Sequence, residues 1–407
     1  MLSITIPSRS ICLALSTILV AAPTSHGQSA SARLAACAAT GRTECALFAA
    51  IDSAARQIVA SGQSPGLAVG IVRNASLIFN KGYGKSNLEL ETPVTPSTVF
   101  PIFSITKTFT AAAILKMAER GQLNIDDKLT RFFPDFPRGN EVTLRNLLNH
   151  TSGIHDFAAP DFPLNTLGAT PEALVDYIAH QQPLYNFDPG TKWEYSNSNY
   201  VLLGKIIEKI SGKSYRDYMA QNVFEKLGLS NTAVDRNIDV VRERASGYMP
   251  DRSSPGHFIN GIYQDMSIPY AAGAIRSTVH DLAAWFIALF GGQVVSASSL
   301  RQLVTPARVR DGRFAGDVLA NNGAPGSWGY YGLGMETYSL AGHCLRGHGG
   351  SFPSFNAIAY NYPADGVMIF VFSNTGRVAT QMATKIAKVL FGDAVGDANA
   401  VPCEVDR

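Results

Sequence analysis

At 407 residues, 46% hydrophobic and 16% charged, the chain can bury a large core and is too apolar for disorder, so one big domain or two intimate ones are expected. Its 34 Lys and Arg against 32 Asp and Glu give a formal net charge of +2, which provides no basic field for a nucleic-acid partner.

The N-terminus carries Arg9, an apolar run from Ile11 to Ala22, and then Ser25-His26-Gly27, small and polar where a signal peptidase reads. Residues 1–27 are therefore expected to be a cleaved export signal, followed by an N-terminal segment, 28–50. The apolar run falls short of the ~20 residues that a spanning helix needs, and no other segment reaches that length, so an exported, soluble, periplasmic or secreted protein without a membrane span is expected. Cys12 lacks the small-residue context of a lipoprotein cleavage site. Beyond the leader stand Cys37, Cys45, Cys344 and Cys403, an even number compatible with two disulfides. Three pairings exist. Closeness in sequence favours Cys37 with Cys45 and Cys344 with Cys403, the second tying the C-terminal tail, 393–407, to the body. No cysteine spacing matches a zinc site.

The Ala-rich stretch 31–62 reads as a helix. Gly62-Gln63-Ser64-Pro65-Gly66 fits G-x-S-x-G, but here a helix leads into a strand, and the residue after the serine is a proline without an N–H. A turn is expected, not a nucleophile elbow. Two β-rich runs follow, Leu67–Arg73 and Ser76–Tyr83, joined at Asn74-Ala75 as a hairpin. After the polar loop 85–98 comes FPIFSITKTFTAAAILKMAER, residues 100–120, helix-favouring and stopped by Gly121. Ser104 and Lys107 stand three apart at its head and share one face. A hydroxyl there lies beside an amine that can take its proton, and first-turn N–H groups point at the oxygen under attack. The alternative is a solvated helix start, with Ser104 as a cap and Lys107 as a surface charge.

From about 122 to 290 the pattern is mainly helical, with starts at Thr170-Pro171, at Ser214–Asp217, and at Thr278–Asp281 ahead of the stripe Leu282, Trp285, Phe286, Leu289. His150, His155 and Asp156 lie close together but match no metal-site spacing, so no metal is expected. Tyr195 and Asn197, in WEYSNSNY, precede an apolar-striped helix, 200–211. Set against Lys107, the Tyr195 phenol would ionise more easily and relay the Ser104 proton; the alternative is an aromatic packed under a helix start. Strands return at Cys344–Gly350, Phe355–Tyr362 and Val367–Ser373, with a turn at Pro363–Gly366 and a closing helix, Met382–Phe391, ended by Gly392. Within Arg346-Gly347-His348-Gly349-Gly350-Ser351 the glycines allow close approach of a substrate backbone, unless they merely form a turn that exposes His348. Alternation puts Arg346 and His348 on one face.

Strands early, helices in the middle and strands again late imply an α+β fold: a mostly antiparallel sheet flanked by helices, with an all-helical part inserted. The domain is expected over 51–392, its sheet parts at about 51–100 and 300–392 and its helical part at about 122–290.

In this order and at these separations, Ser104-Ile105-Thr106-Lys107, Tyr195-Ser196-Asn197 and His348-Gly349-Gly350 resemble the three active-site motifs of the serine β-lactamase and penicillin-binding protein superfamily. The branch with class C β-lactamases, D-amino-acid peptidases and related esterases is the most similar. Leu147–Gly153, Ala272–Thr278 and Tyr331–Gly334 are similar to recurrent segments of that branch. The resemblance implies a site between the sheet and the helical part, with Ser104 acylated and Lys107 and Tyr195 as the proton-transfer pair. It implies that Asn197 bonds the substrate amide or Lys107, with His348, Gly349, Gly350 and Ser351 on the substrate side and the Ser104 and Ser351 N–H groups as oxyanion hole. No cofactor is implied. His348 stands where class C β-lactamases resemble K-T-G, and a neutral imidazole attracts a β-lactam carboxylate less than an ammonium does. This favours an esterase or D-amino-acid peptidase acting on a small molecule or peptide, with a slow-turnover β-lactam or peptide sensor or a true β-lactamase as alternatives. Arg346 is the candidate for the missing positive charge.

Overall fold

The computed structural model describes residues 43–158, 168–316, 329–396 and 401–403. The expected leader, 1–27, and Cys37 lie outside them, as does most of the tail. Within them, helix α1 (Thr43–Ala60) leads through the 62–66 turn, where buried Ser64 donates to Gly66 O or Ser373 Oγ, into strands β1 (Gly66–Arg73) and β2 (Ser76–Asn87). Asn74 and Ala75 take φ of 48° and 58°, the left-handed pair whose twist matches that of a two-residue hairpin.

The sheet has seven strands in the order β3-β2-β1-β12-β11-β10-β9, with every neighbouring pair antiparallel. Besides the early hairpin it contains β3 (Thr92–Pro93), β9 (Glu336–Leu340), β10 (His343–Phe352), β11 (Phe355–Tyr362) and β12 (Val367–Ser373). The early and late runs therefore share one sheet, closed where β1 pairs with β12 from Leu67↔Ser373 to Arg73↔Val367. Both of these central strands are apolar on both faces because both faces are covered. Leu67, Val69, Ile71, Ile369 and Val371 pack toward α1 and the closing helix α10 (Val378–Phe391), whereas Ala68, Val72, Phe370 and Phe372 join the core of the helical part.

That part is built on α2 (Thr106–Glu119), buried from Thr106 through Leu115. A helix buried on every side has to be central. Around it lie α3 (Leu144–Leu148), α4 (Pro171–Ala179), α5 (Asn197–Ser211), α6 (Tyr215–Met219), the single turn α7 (Tyr270–Gly273), α8 (Val279–Phe290) and α9 (Ala297–Val304). Thr170, Ser214 and Thr278 each accept the N–H three residues on, capping α4, α6 and α8.

The stretch 228–278 departs from the helical expectation. Strands β4 (Phe100–Pro101), β5 (Ala233–Val234), β6 (Tyr248–Pro250), β7 (Phe258–Asn260) and β8 (Ile275–Ser277) are two or three residues long and make two small side sheets. Strands that short leave no periodicity to read. Strand β9 likewise gave no signal, and α10 starts at Val378, four residues before the expected Met382, behind Arg377 at φ 67°.

Candidate active site

Ser104 sits in a one-turn 3-10 helix, Phe103–Ile105, that runs directly into α2. Phe103 before it takes φ 43°, a left-handed conformation that costs on the order of 1–3 kcal/mol. Its ring stacks on Phe352 of β10 at 5.2 Å and 11°, which holds the turn in place. Lys107, one turn on, is completely buried. Its Nζ lies 3.0 Å from Ser104 Oγ, 2.8 Å from Asn197 Oδ1 and 2.8 Å from the carbonyl of Ala272 in α7. Burial pushes the amine from 10.5 down to about 7, with Asp156 pulling the other way. In its neutral form the amine has two N–H groups for the two partners that only accept, Asn197 Oδ1 and Ala272 O. Its lone pair is then left facing the one partner that can donate, the Ser104 hydroxyl.

Tyr195 lies against this pair, with Lys107 Nζ over its ring at 4.8 Å from the centroid. Here the sequence expectation had the wrong sign. Burial drives the phenol well above 10, outweighing the hydrogen bond to Ser104 that lowers it. Tyr195 is therefore a neutral phenol, and Lys107 is the group fit to be a base.

Two segments hold this half of the site. Asn197 opens α5, and Asp156 clamps it twice, accepting its backbone N–H at 3.0 Å and its side-chain amide at 3.1 Å. His150, buried at φ 61°, accepts the Ser196 N–H and the Asn199 amide on Nδ1, each at 3.2 Å, and packs its ring 4.3 Å from Tyr195. His150 and Asp156 are thus hydrogen-bonding supports, and among the described residues no group of three or more His, Cys, Asp or Glu side chains could hold a metal ion.

The facing wall is β10. A Cβ on Gly350 would lie 2.0 Å from Ile102 O and 3.2 Å from Ser104 N, so only a glycine lets the strand come this close to the Ser104 turn. Ser351, next along, is exposed at the wall's end, and Gly349 gives its N–H to Glu336 Oε1 at 3.2 Å. His348 is fully buried, not exposed on a turn. Its Nδ1–H donates to Gly349 O, so Nε2 accepts the Tyr331 hydroxyl at 2.8 Å. Burial and the nearby Lys107 lower its pKa to about 3, so the imidazole is neutral. Arg346 is half-buried two residues up the strand, opposite Thr337 and Asn361.

Three groups at this site gave no sequence signal: the Ala272 carbonyl, Asp156 as the Asn197 clamp, and Glu336. Glu336 is buried beside Gly349, 3.8 Å from His348 Nδ1, and raised by desolvation to about 7. A carbonyl has no residue signature; Asp156 was legible only as a neighbour of two histidines. At the far end of β10, Cys344 and Cys403 form a disulfide, and Cys45 is also disulfide-bonded.

Comparison with known families matches residues 51–391 to the family described as Beta-lactamase. "Putative penicillin-binding protein PbpX" of Bacillus subtilis (strain 168) is 29% identical over 322 residues, 79% of this chain and 74% of the relative. Among solved structures, the octameric penicillin-binding protein homologue from Pyrococcus abyssi superposes with TM-score 0.71 at 28% identity, covering 86% of this chain and 78% of that one. D-amino acid amidase from Ochrobactrum anthropi SV3, complexed with D-phenylalanine, superposes with TM-score 0.73 at 25% identity over 84% of this chain and 98% of that one.

Proposed function

This chain belongs to the beta-lactamase family, and from that premise we propose that it is a serine acyl hydrolase working through an acyl-enzyme on Ser104. The observation that carries the proposal is the buried Lys107 amine, 3.0 Å from Ser104 Oγ and with its other two partners acceptors only. A buried amine at about 7 has much of its population neutral at ordinary pH, where a base is most effective.

The steps follow from the hydrogen-bond directions. Ser104 Oγ attacks the substrate carbonyl carbon as its proton passes to Lys107. The oxygen, now negative, would be received by the N–H groups of Ser104 and Ser351, a reading supported by the close approach of Gly350 to the Ser104 turn; one such donor is typically worth about 2.7–4 kcal/mol of transition-state stabilisation. As the carbon–leaving-group bond breaks, the Tyr195 phenol gives its proton to the departing oxygen or nitrogen and regains one from the Lys107 ammonium. Water then attacks the acyl carbon and loses its proton to Lys107; as the bond to Ser104 Oγ breaks, the Lys107 ammonium returns that proton to Oγ, which releases the acid and restores both Ser104 and the free amine. The chemistry is complete without a metal or an organic cofactor.

For substrate we propose small esters and D-amino-acid amides or peptides. Likeness to a D-amino acid amidase supports the amide arm, and the neutral, enclosed His348 weighs against a β-lactam carboxylate as the preferred anchor. We also propose export, supported by the leader-like run Ile11–Ala22 and by the Cys344–Cys403 disulfide, a bond that persists in oxidising compartments.

The test is a panel of p-nitrophenyl esters, D-phenylalanine amide, D-alanyl-D-alanine peptides and a chromogenic cephalosporin, run on wild type and Ser104→Ala. Turnover of esters or D-amides that vanishes in Ser104→Ala is expected. A persistent mass adduct on Ser104 without turnover would replace the hydrolase by a sensor, and activity surviving in Ser104→Ala would refute the mechanism.

A further inference from the structure

The groups touching Lys107 and Ser104 are themselves held by others, and one of these has two separate handles on the base. Asn197 could present either end of its amide to Lys107. What fixes the choice is Asp156, whose carboxylate only accepts. With Asp156 Oδ2 taking the Asn197 Nδ2–H at 3.1 Å, the nitrogen end is committed and Oδ1 must face Lys107 at 2.8 Å. The other carboxylate oxygen takes the Asn197 backbone N–H at 3.0 Å, one of the N–H groups that the first turn of α5 leaves without a helical partner. Asp156 is anchored in turn by the Ala158 N–H on Oδ1. Its neighbours His155 and Phe157 are both tied to Ser198 of α5, through His155 O at 2.6 Å and Phe157 N at 2.9 Å.

The charged and titratable surroundings of Lys107 come from several elements. Tyr195 and Tyr200 present ring faces at 4.8 Å and 5.4 Å. His150, from the loop after α3, and His348, from β10, are both kept neutral by burial and by Lys107 itself. Asp156 is the acidic group whose charge acts on Lys107.

We propose that Asp156 is a positioning residue of the acylation step: it orients Asn197 so that the amide carbonyl receives Lys107, and its negative charge acts on the amine from behind that amide. The proposal rests on the reading of Lys107 as base. Removing the carboxylate takes away an interaction that favours the protonated amine and frees Asn197 to turn its nitrogen toward Lys107.

The experiment compares wild type with Asp156→Asn, which removes the charge and keeps the size, and with Asp156→Glu, which keeps the charge. Two readouts are taken on each: the pH dependence of the p-nitrophenolate burst from p-nitrophenyl acetate, and the titration of the Lys107 ¹³Cε signal, assigned by its loss in Lys107→Met. In Asp156→Asn the acid limb of the burst and the NMR titration are expected to move together to lower pH by on the order of one unit, while Asp156→Glu keeps both near the wild-type position. The burst rate at the plateau of Asp156→Asn should fall about tenfold or more as Asn197 loses its fixed orientation. If Asp156→Asn does not fold, Asp156→Ser, which keeps an acceptor for the Asn197 N–H and removes the charge, carries the same expectation. A folded, uncharged variant whose limb and NMR titration both stay in place overturns the proposal. If wild type shows neither turnover nor a burst, the hydrolase reading falls, and the NMR titration still decides whether Asp156 acts on Lys107.

Discussion

Protonation of Lys107 is the perturbation that tests the proposed chemistry most directly, because it changes one proton and no contact. With the amine lowered to about 7, half of the molecules carry a free base near that pH. One unit lower the neutral fraction is ~10%, and two units lower ~1%. If acylation needs that lone pair, kcat/KM for an uncharged p-nitrophenyl ester falls ~90-fold between about pH 8 and about pH 5, with a limiting slope of one. Stopped-flow or steady-state p-nitrophenolate release over that range, corrected for spontaneous hydrolysis, gives the profile. Because the ester has no ionising group, the limb belongs to the enzyme. Tyr195 sits well above 10 and His348 at about 3, so neither supplies a limb between about pH 6 and 8; Glu336, also raised to about 7, is separated by Glu336→Gln, which should keep the limb if it belongs to Lys107. Lys107→Arg, whose guanidinium keeps its proton throughout, should lose roughly 10²–10⁴-fold in rate and the limb with it. A profile flat within twofold across this range, or a Lys107→Arg variant with wild-type activity, would refute Lys107 as the base.

Gly350→Ala places a methyl carbon 2.0 Å from Ile102 O, so the strand must withdraw from the Ser104 turn; we expect kcat to drop by about 10²-fold or more, with KM changed far less, read by steady-state kinetics on a folded variant. Arg346→Ala should raise KM for carboxylate-bearing substrates and leave uncharged esters alone; equal effects on both rule out Arg346 as the anion anchor. Removing the Cys344–Cys403 bond, which closes 59 residues of chain, by the double substitution Cys344→Ala and Cys403→Ala should cost about 2–4 kcal/mol of stability, measured as a fall in urea midpoint against wild type without reductant, and an unchanged midpoint would contradict this.

What was legible in the sequence was whatever is both local and chemically distinctive. Ser104 and Lys107 share a helix turn, so their spacing alone implies proximity, and the hairpin at Asn74-Ala75 announces itself by a β-rich run on either side of two residues. The three motifs were joined by their order and by resemblance to a known family, since nothing local says that Tyr195 and Gly350 approach Ser104. Illegible features were of two kinds. Some have no side-chain identity, such as the Ala272 carbonyl and the strands of two or three residues between 228 and 278. Others depend on burial, which reverses electrostatic intuition. A phenol beside an amine reads as acidified, yet loss of water around Tyr195 raises it and outweighs its hydrogen bond to Ser104, and His348, which the alternative reading left exposed on a turn, is buried and accepts the Tyr331 hydroxyl.

The same loss of water that lowers the Lys107 amine works against the fold. Unfolded, the amine binds its proton up to 10.5; folded, only up to about 7. Between those values the unfolded chain holds the extra proton, so stability rises with pH across that window, and below about 7 the full penalty is present, on the order of 5 kcal/mol. That is comparable with the whole stability of many domains, about 5–15 kcal/mol, so the surroundings must offset it. Helix α2 is accordingly fixed on every side. Phe109 stacks on Trp285 at 4.0 Å, Thr110 donates to the Ala271 carbonyl at 2.8 Å, and Ile275 donates to Thr106 Oγ1 at 3.0 Å. Two of these contacts reach α7 or the strand just after it, beside the Ala272 carbonyl that receives Lys107. The packing that holds the helix in the core therefore also sets the third partner of the amine. An amine moved to the surface would relieve the fold and keep its proton at neutral pH, and Ser104 would then have no base beside it.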